Sequence, residues 1–172
     1  MKRLVWAIAC AAALAACGQG AQRPGVPGGS EQACALIAQP EAIFGADVER
    51  VGYGRLETMA ASCQFQSADG ARSGEIVISN ADSLGAVTAE ANMAETIEKW
   101  DAQTETPLAA VEGLGEDARI ATDLPGYQTQ IVFRQGGAVV MVSGSSGDAA
   151  MNGEQIARAL AEAASQSLSA AP

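Results

Sequence analysis

"ASCQFQSADGARSGEIVISN", residues 61–80, is the stretch from which the architecture can be read. Cys63 and Phe65 fall on one side of a period-two pattern and Gln64 and Gln66 on the other, which predicts a strand with one buried and one wet face. The pattern continues in "SGEIVISN" (73–80), and "ADGARS" (68–73) between the two runs supplies the residues of a turn. Working outward on the N-terminal side, "ERVGYGRLE" (49–57) reads as a third strand. Before it, "EQACALIAQ" (31–39) is a short helix with Ser30 as its N-cap, ended by Pro40, and "PEAIFG" (40–45) is a helical turn opened by Pro and closed by Gly.

On the C-terminal side, "DSLGAVTAEANMAETIEKW" (82–100) places Ala86, Met93, Ile97 and Trp100 along one helical stripe, with Glu90, Glu95 and Glu98 around its rim. "QTETPLAAVEGLGED" (103–117) is a connector broken by Pro107 and two glycines. "ARIATD", "YQTQIVFRQ" and "GAVVMVSGS" follow as strands, the last two meeting in a tight hairpin at Gln135-Gly136-Gly137. The closing helix, "NGEQIARALAEAASQSL" (152–168), aligns Ile156, Leu160, Ala163 or Ala164, and Leu168. Strands joined by short turns imply an α+β fold, a largely antiparallel sheet with helices packed on one face. Two similar βββα halves are a further expectation, because "GEIVISNADSLGAV" (74–87) and "AVVMVSGSSGDAAM" (138–151) each lead a strand through a loop to a long helix.

The first residues carry a different message. Lys2 and Arg3 precede the uncharged run from Leu4 to Cys17, the order of a secretory signal. At 1.5 Å per residue that run covers only about 20 Å of a hydrocarbon core roughly 30 Å thick. Leu14-Ala15-Ala16-Cys17 resembles the lipobox of bacterial lipoproteins. The resemblance implies cleavage before Cys17, a diacylglycerol on its thiol and usually a further acyl chain, such as palmitate, on its amine. One acyl chain holds a membrane only marginally, whereas two or three anchor it firmly. Gly18 stands where Asp resembles an inner-membrane retention signal, so the expected address is the outer membrane, facing the periplasm. The expected organisation is a signal peptide over 1–16, a lipidated Cys17 with a Gly/Pro tether to residue 30, one domain over 31–168 and a frayed tail over 169–172.

Loss of residues 1–16 removes two positive charges and no negative ones, taking the formal net charge from −10 to −12. So acidic a chain is a poor nucleic-acid binder, since Lys and Arg supply most of that affinity. Histidine is absent, which removes Ser-His-Asp and Cys-His catalysis and the zincin and common zinc deaminase sites. Cys10 leaves with the signal, and Cys34 and Cys63 remain as a disulfide pair of the exported domain, with a redox role the weaker alternative because catalytic dithiols are normally Cys-x-x-Cys.

"GLGEDA" (113–118) matches a dinucleotide fingerprint variant but lacks the preceding strand and following helix, so no cofactor is expected there. "GSSGD" (144–148) offers an anion nest or, more simply, a strand-to-helix loop. The twenty carboxylates include no spacing that marks an acid/base pair or a calcium loop, and no metal site is assigned. Trp100 reads as a core plug and Arg134 as a solvated charge at a hairpin edge.

"ACALIAQPEAIFG" (33–45), "SCQFQ" (62–66), "VEGLGEDARI" (111–120) and the closing hairpin and helix together resemble small bacterial lipoproteins, some of them assigned a PsbP-like α+β fold. The resemblance implies an exported, anchored, non-catalytic domain with a helix-to-sheet disulfide, and it carries over no active site. The functional expectation is a lipid-anchored binding domain of the cell envelope with an unknown protein or small-molecule partner. The alternatives are a carrier of small apolar molecules, using a groove between helices and sheet, and an enzyme relying on carboxylates or serine.

Overall fold

The computed structural model describes residues 30–56, 60–80 and 87–170. Cys17 and the signal, tether and last two residues lie outside these. Two short helices, α1 (Ser30–Ala35) and α2 (Glu41–Phe44), lead into β1 (Glu49–Leu56), β2 (Ala60–Gln66) and β3 (Arg72–Asn80). Helix α3 (Ala89–Asp101) follows, then β4 (Ala109–Ala110), β5 (Asp117–Ala121), β6 (Thr129–Gln135), β7 (Ala138–Ser146) and α4 (Gly153–Ala170). The α+β class is as expected: seven strands form one sheet in the order β1-β2-β3-β7-β6-β5-β4, every pairing antiparallel.

Local chemistry explains most boundaries. The β2–β3 turn closes through Gly70, whose φ of 70° suits a residue without Cβ, and Ser67 and Arg72 pair across it. α3 begins where the Thr88 hydroxyl accepts the Ala91 amide at 3.1 Å; residues 82–86 of the expected helix, Ala86 among them, lie outside the described residues. α4 opens with a reciprocal capping box: Gln155 N–H donates to Asn152 Oδ1 and Asn152 N–H to Gln155 Oε1, both at 2.9 Å. It runs through Ser169 and Ala170, past the boundary drawn at 168. α1 is shorter than the expected 31–39: it takes in Ser30 and ends at Ala35.

One expectation needs correction: the helices do not all pack on one face. Cys63, Phe65, Ile76, Ile78, Ile131, Phe133, Val140 and Val142 form the larger core with α1, α2 and α4. Val132 and Val139, on the other face by strand alternation, pack with Ala89, Met93 and Trp100 of α3. The sheet is therefore covered on both sides where α3 crosses β6 and β7. The two expected βββα halves are not a symmetric pair: the second has a fourth strand, β4, within the segment expected as a connector. A twofold axis relating antiparallel β3 and β7 would stand perpendicular to the sheet and put α3 and α4 on the same face. They lie on opposite faces.

Candidate ligand-binding groove

Strand register arranges the face shared with α3. Across the sheet, Val51 pairs with Gln64, Gln64 with Glu75, Glu75 with Ser143 and Ser143 with Gln130. This row spans five strands, about 19 Å at the usual strand spacing. Two residues along, Glu49, Gln66, Ser73 and Ser145 make a second row, about 7 Å from the first. The next row on the other side, Ser62, Val77, Met141 and Val132, passes towards the apolar cluster beneath α3. The face thus changes from polar to apolar along the strands, and α3 covers only the apolar part.

The uncovered part is a groove of about 510 Å³ floored by both polar rows and walled by Gly126, Tyr127 and Gln128. It continues into a cleft of about 260 Å³ lined by Trp100, Gln103, Leu124 and Pro125, sharing Glu75, Tyr127 and Ser143 with the first. Among the described residues no lysine or arginine lines either part. Nor do the side chains of Gln64, Gln66, Ser73, Glu75, Ser143 and Ser145 have a hydrogen bond or ion pair within the described residues. Their donors and acceptors face solvent in two ordered rows. Val51 and Tyr127 are the large apolar side chains exposed here, each at 48 %.

Cys34 and Cys63 are joined by a disulfide, with 5.0 Å between their Cα atoms, tying α1 to the buried face of β2. "GLGEDA" is a latch: Glu116 N–H donates to the Arg134 carbonyl at 2.8 Å, and its carboxylate accepts from the Gly136 amide and pairs with Arg134. Arg134 therefore belongs to an ion pair on an interior strand, not to a solvated sheet edge, because β6 lies between β5 and β7. The anion nest at "GSSGD" is closed as well. The amide of Ser146 donates to Gln128 Oε1, that of Gly147 to the Ala71 carbonyl and that of Asp148 to Ser146 Oγ. Trp100 is a core plug, 7 % exposed.

Among the described residues no three His, Cys, Asp or Glu side chains come together as a metal set. The two groove carboxylates, Glu49 and Glu75, sit two strands apart and form no buried pair. On the opposite face α4 lies tightly on the sheet. A Cβ added to Gly74 would fall 2.6 Å from Leu160 Cδ1, so helix and sheet are in direct contact at that point.

Sequence reading found one wet side to these strands but not the groove. The signal was available: at one end of three strands the outward positions are all amide, hydroxyl or carboxyl (Gln64, Gln66, Ser73, Glu75, Ser143, Ser145). Pairing β3 with β7, remote in sequence, brings them together. No protein-family model, no curated protein and no solved structure matches the chain.

Proposed function

We propose that this protein is a lipid-anchored, non-catalytic binding domain of the cell envelope, held to the outer membrane through acylated Cys17, whose ligand site is the groove across β1, β2, β3 and β7. The observation that carries the reading is the pair of polar rows left open beside α3, with six side chains that have no partner within the described residues. The lipobox-like Leu14–Cys17 and the Gly/Pro stretch after it support the anchor. The resemblance to PsbP-like lipoproteins supports the same assignment. A side-chain-lined, solvent-open groove suits reversible recognition, with specificity set by a few convergent polar groups.

Two measurements test this. Labelled palmitate should enter the full chain in growing cells, and globomycin or Cys17→Ser should abolish processing; a free, unacylated product would refute the anchor. A photo-crosslinking residue at Gln66 should give a discrete adduct in intact envelopes where one at Glu162, on α4, gives none. Equal labelling from both positions would refute the groove as the site.

A further inference from the structure

Resting on that reading of the groove, we infer that its ligand is an uncharged oligosaccharide lying across the strands. The first constraint is backbone. β2, β3 and β7 are interior strands whose main-chain groups are committed to ladders on both sides, so an extended peptide could add only at the outer edge of β1, at one end of the groove, and not along its floor. Recognition must come from side chains.

The second constraint is charge. With no cation lining the groove among the described residues, and a net charge of −10 on the chain, phosphate, sulfate and uronate groups are repelled rather than held. Glu49 and Glu75 are two carboxylates among neutral amides and hydroxyls, too sparse a row to pair with a polycation.

The third constraint is hydrogen-bond type. Gln64 and Gln66 each donate and accept, Ser73, Ser143 and Ser145 do both through one atom, and Glu75 only accepts. A ligand dense in hydroxyls, each itself donor and acceptor, can satisfy such a mixed row without carrying charge. Tyr127, half exposed at the junction of groove and cleft, presents an aromatic surface against which the apolar face of a sugar ring can stack. The rows, about 19 Å and about 14 Å long and about 7 Å apart, give a track with the shape of a short linear chain and not of a single compact metabolite.

The test uses the full chain purified in detergent and titrated with chitotetraose, an uncharged tetrasaccharide, by calorimetry and by tryptophan fluorescence. Saturable binding is expected, weakened about tenfold or more by Tyr127→Ala and by Gln64→Ala, and unchanged by Gln166→Ala on α4. Because Tyr127 and Gln64 are exposed, both variants should keep the parent's melting temperature, which separates lost contacts from lost fold. Maltotetraose binding with the same variant pattern also supports the inference. Absence of binding by both sugars at millimolar concentration, or binding indifferent to Tyr127→Ala and Gln64→Ala, overturns it. A Lys-rich peptide or an oligogalacturonate that binds in place of the sugars, and is lost in the same variants, overturns the saccharide class while leaving the groove as the ligand site.

Discussion

Gly144 of β7 and Gly153 at the start of α4 meet backbone to backbone: a Cβ on Gly144 would stand 2.1 Å from the Gly153 carbonyl oxygen and 2.7 Å from the Ala157 amide nitrogen. Gly144 pairs with Gly74 in the sheet, so a strip without side chains lets the first turns of α4 settle directly onto β3 and β7. This contact sets the height of the helix above the larger core.

Gly144→Ala should therefore cost about 3 kcal/mol, since the obstacles are main-chain atoms that cannot rotate aside. Gly147→Ala, three residues on, meets nothing closer than 4.0 Å and should change stability by less than about 0.5 kcal/mol. Urea denaturation of the two variants beside the parent measures the difference.

The Cys34–Cys63 disulfide closes a sequence separation of 29 and fixes α1 on β2. On the chain-entropy account, its loss should destabilise the fold by about 3.5 kcal/mol. Cys34→Ala with Cys63→Ala, compared with the parent under oxidising conditions, should show this as a lowered urea midpoint. Under reducing conditions the gap should close, because the parent then has the same open loop.

Arg72 ties three elements together. Its Nη1 donates to the Ile43 carbonyl at 2.6 Å and Nη2 to the Phe44 carbonyl at 3.3 Å, while Nε lies 3.9 Å from Asp148 Oδ2 beyond β7. The guanidinium thus satisfies the carbonyls at the end of α2, a helix too short to hold its own shape. Arg72→Met should cost about 2 kcal/mol. Arg72→Lys should recover only part of it, because a single ammonium lacks the fork that reaches both carbonyls. Thermal unfolding of the two variants distinguishes these outcomes.

The β2–β3 turn carries a pH dependence. Asp69 Oδ1 accepts from the Ser67 hydroxyl at 2.6 Å and from the Ala71 amide at 3.0 Å, and these bonds, with a smaller contribution from the charge of Arg72, hold the Asp69 carboxyl below its ordinary range. A carboxyl depressed in the folded state stabilises above its unfolded value, and that contribution disappears as the pH falls through the folded one. Acidification below about pH 4 should thus loosen the turn, and Asp69→Asn should remove this part of the acid response. Carboxyl titration followed by NMR checks both; an Asp69 midpoint at or above the ordinary aspartate value would contradict the bonding.

Most strands, both long helices and the cysteine pair were legible because each has a local signature: alternation, a helical stripe, or the two cysteines that remain when the expected signal and anchor cysteines are set aside; two-residue β4 has none. The Glu116 latch and the groove were not legible, since each depends on partners fixed only when distant strands meet. The placement of α3 lies between these cases. "QIVFR" and "AVVMV" contain unbroken apolar runs, whereas "SCQFQ" alternates, and an unbroken run marks a strand buried on both faces. Ile131, Val132 and Phe133 are all 0 % exposed, as that rule requires. Continuity in β6 and β7 against alternation in β2 told where the second face would be covered.

That contrast yields a test with one substitution at two positions. Gln64 and Val132 project from the same face of the sheet, but Gln64 is exposed in the open groove and Val132 is fully buried beneath α3. Val132→Lys would bury an ammonium among Met93, Trp100 and Val139 with no partner among that cluster, and should cost more than about 3 kcal/mol or prevent folding. Gln64→Lys keeps its charge in water, directly across from Glu75, and should change stability by less than about 0.5 kcal/mol. Thermal melts decide it. Equal tolerance at both sites would mean that α3 does not lie on this face, whereas a large loss at Val132 alone places the boundary between covered core and open groove where the strand register puts it.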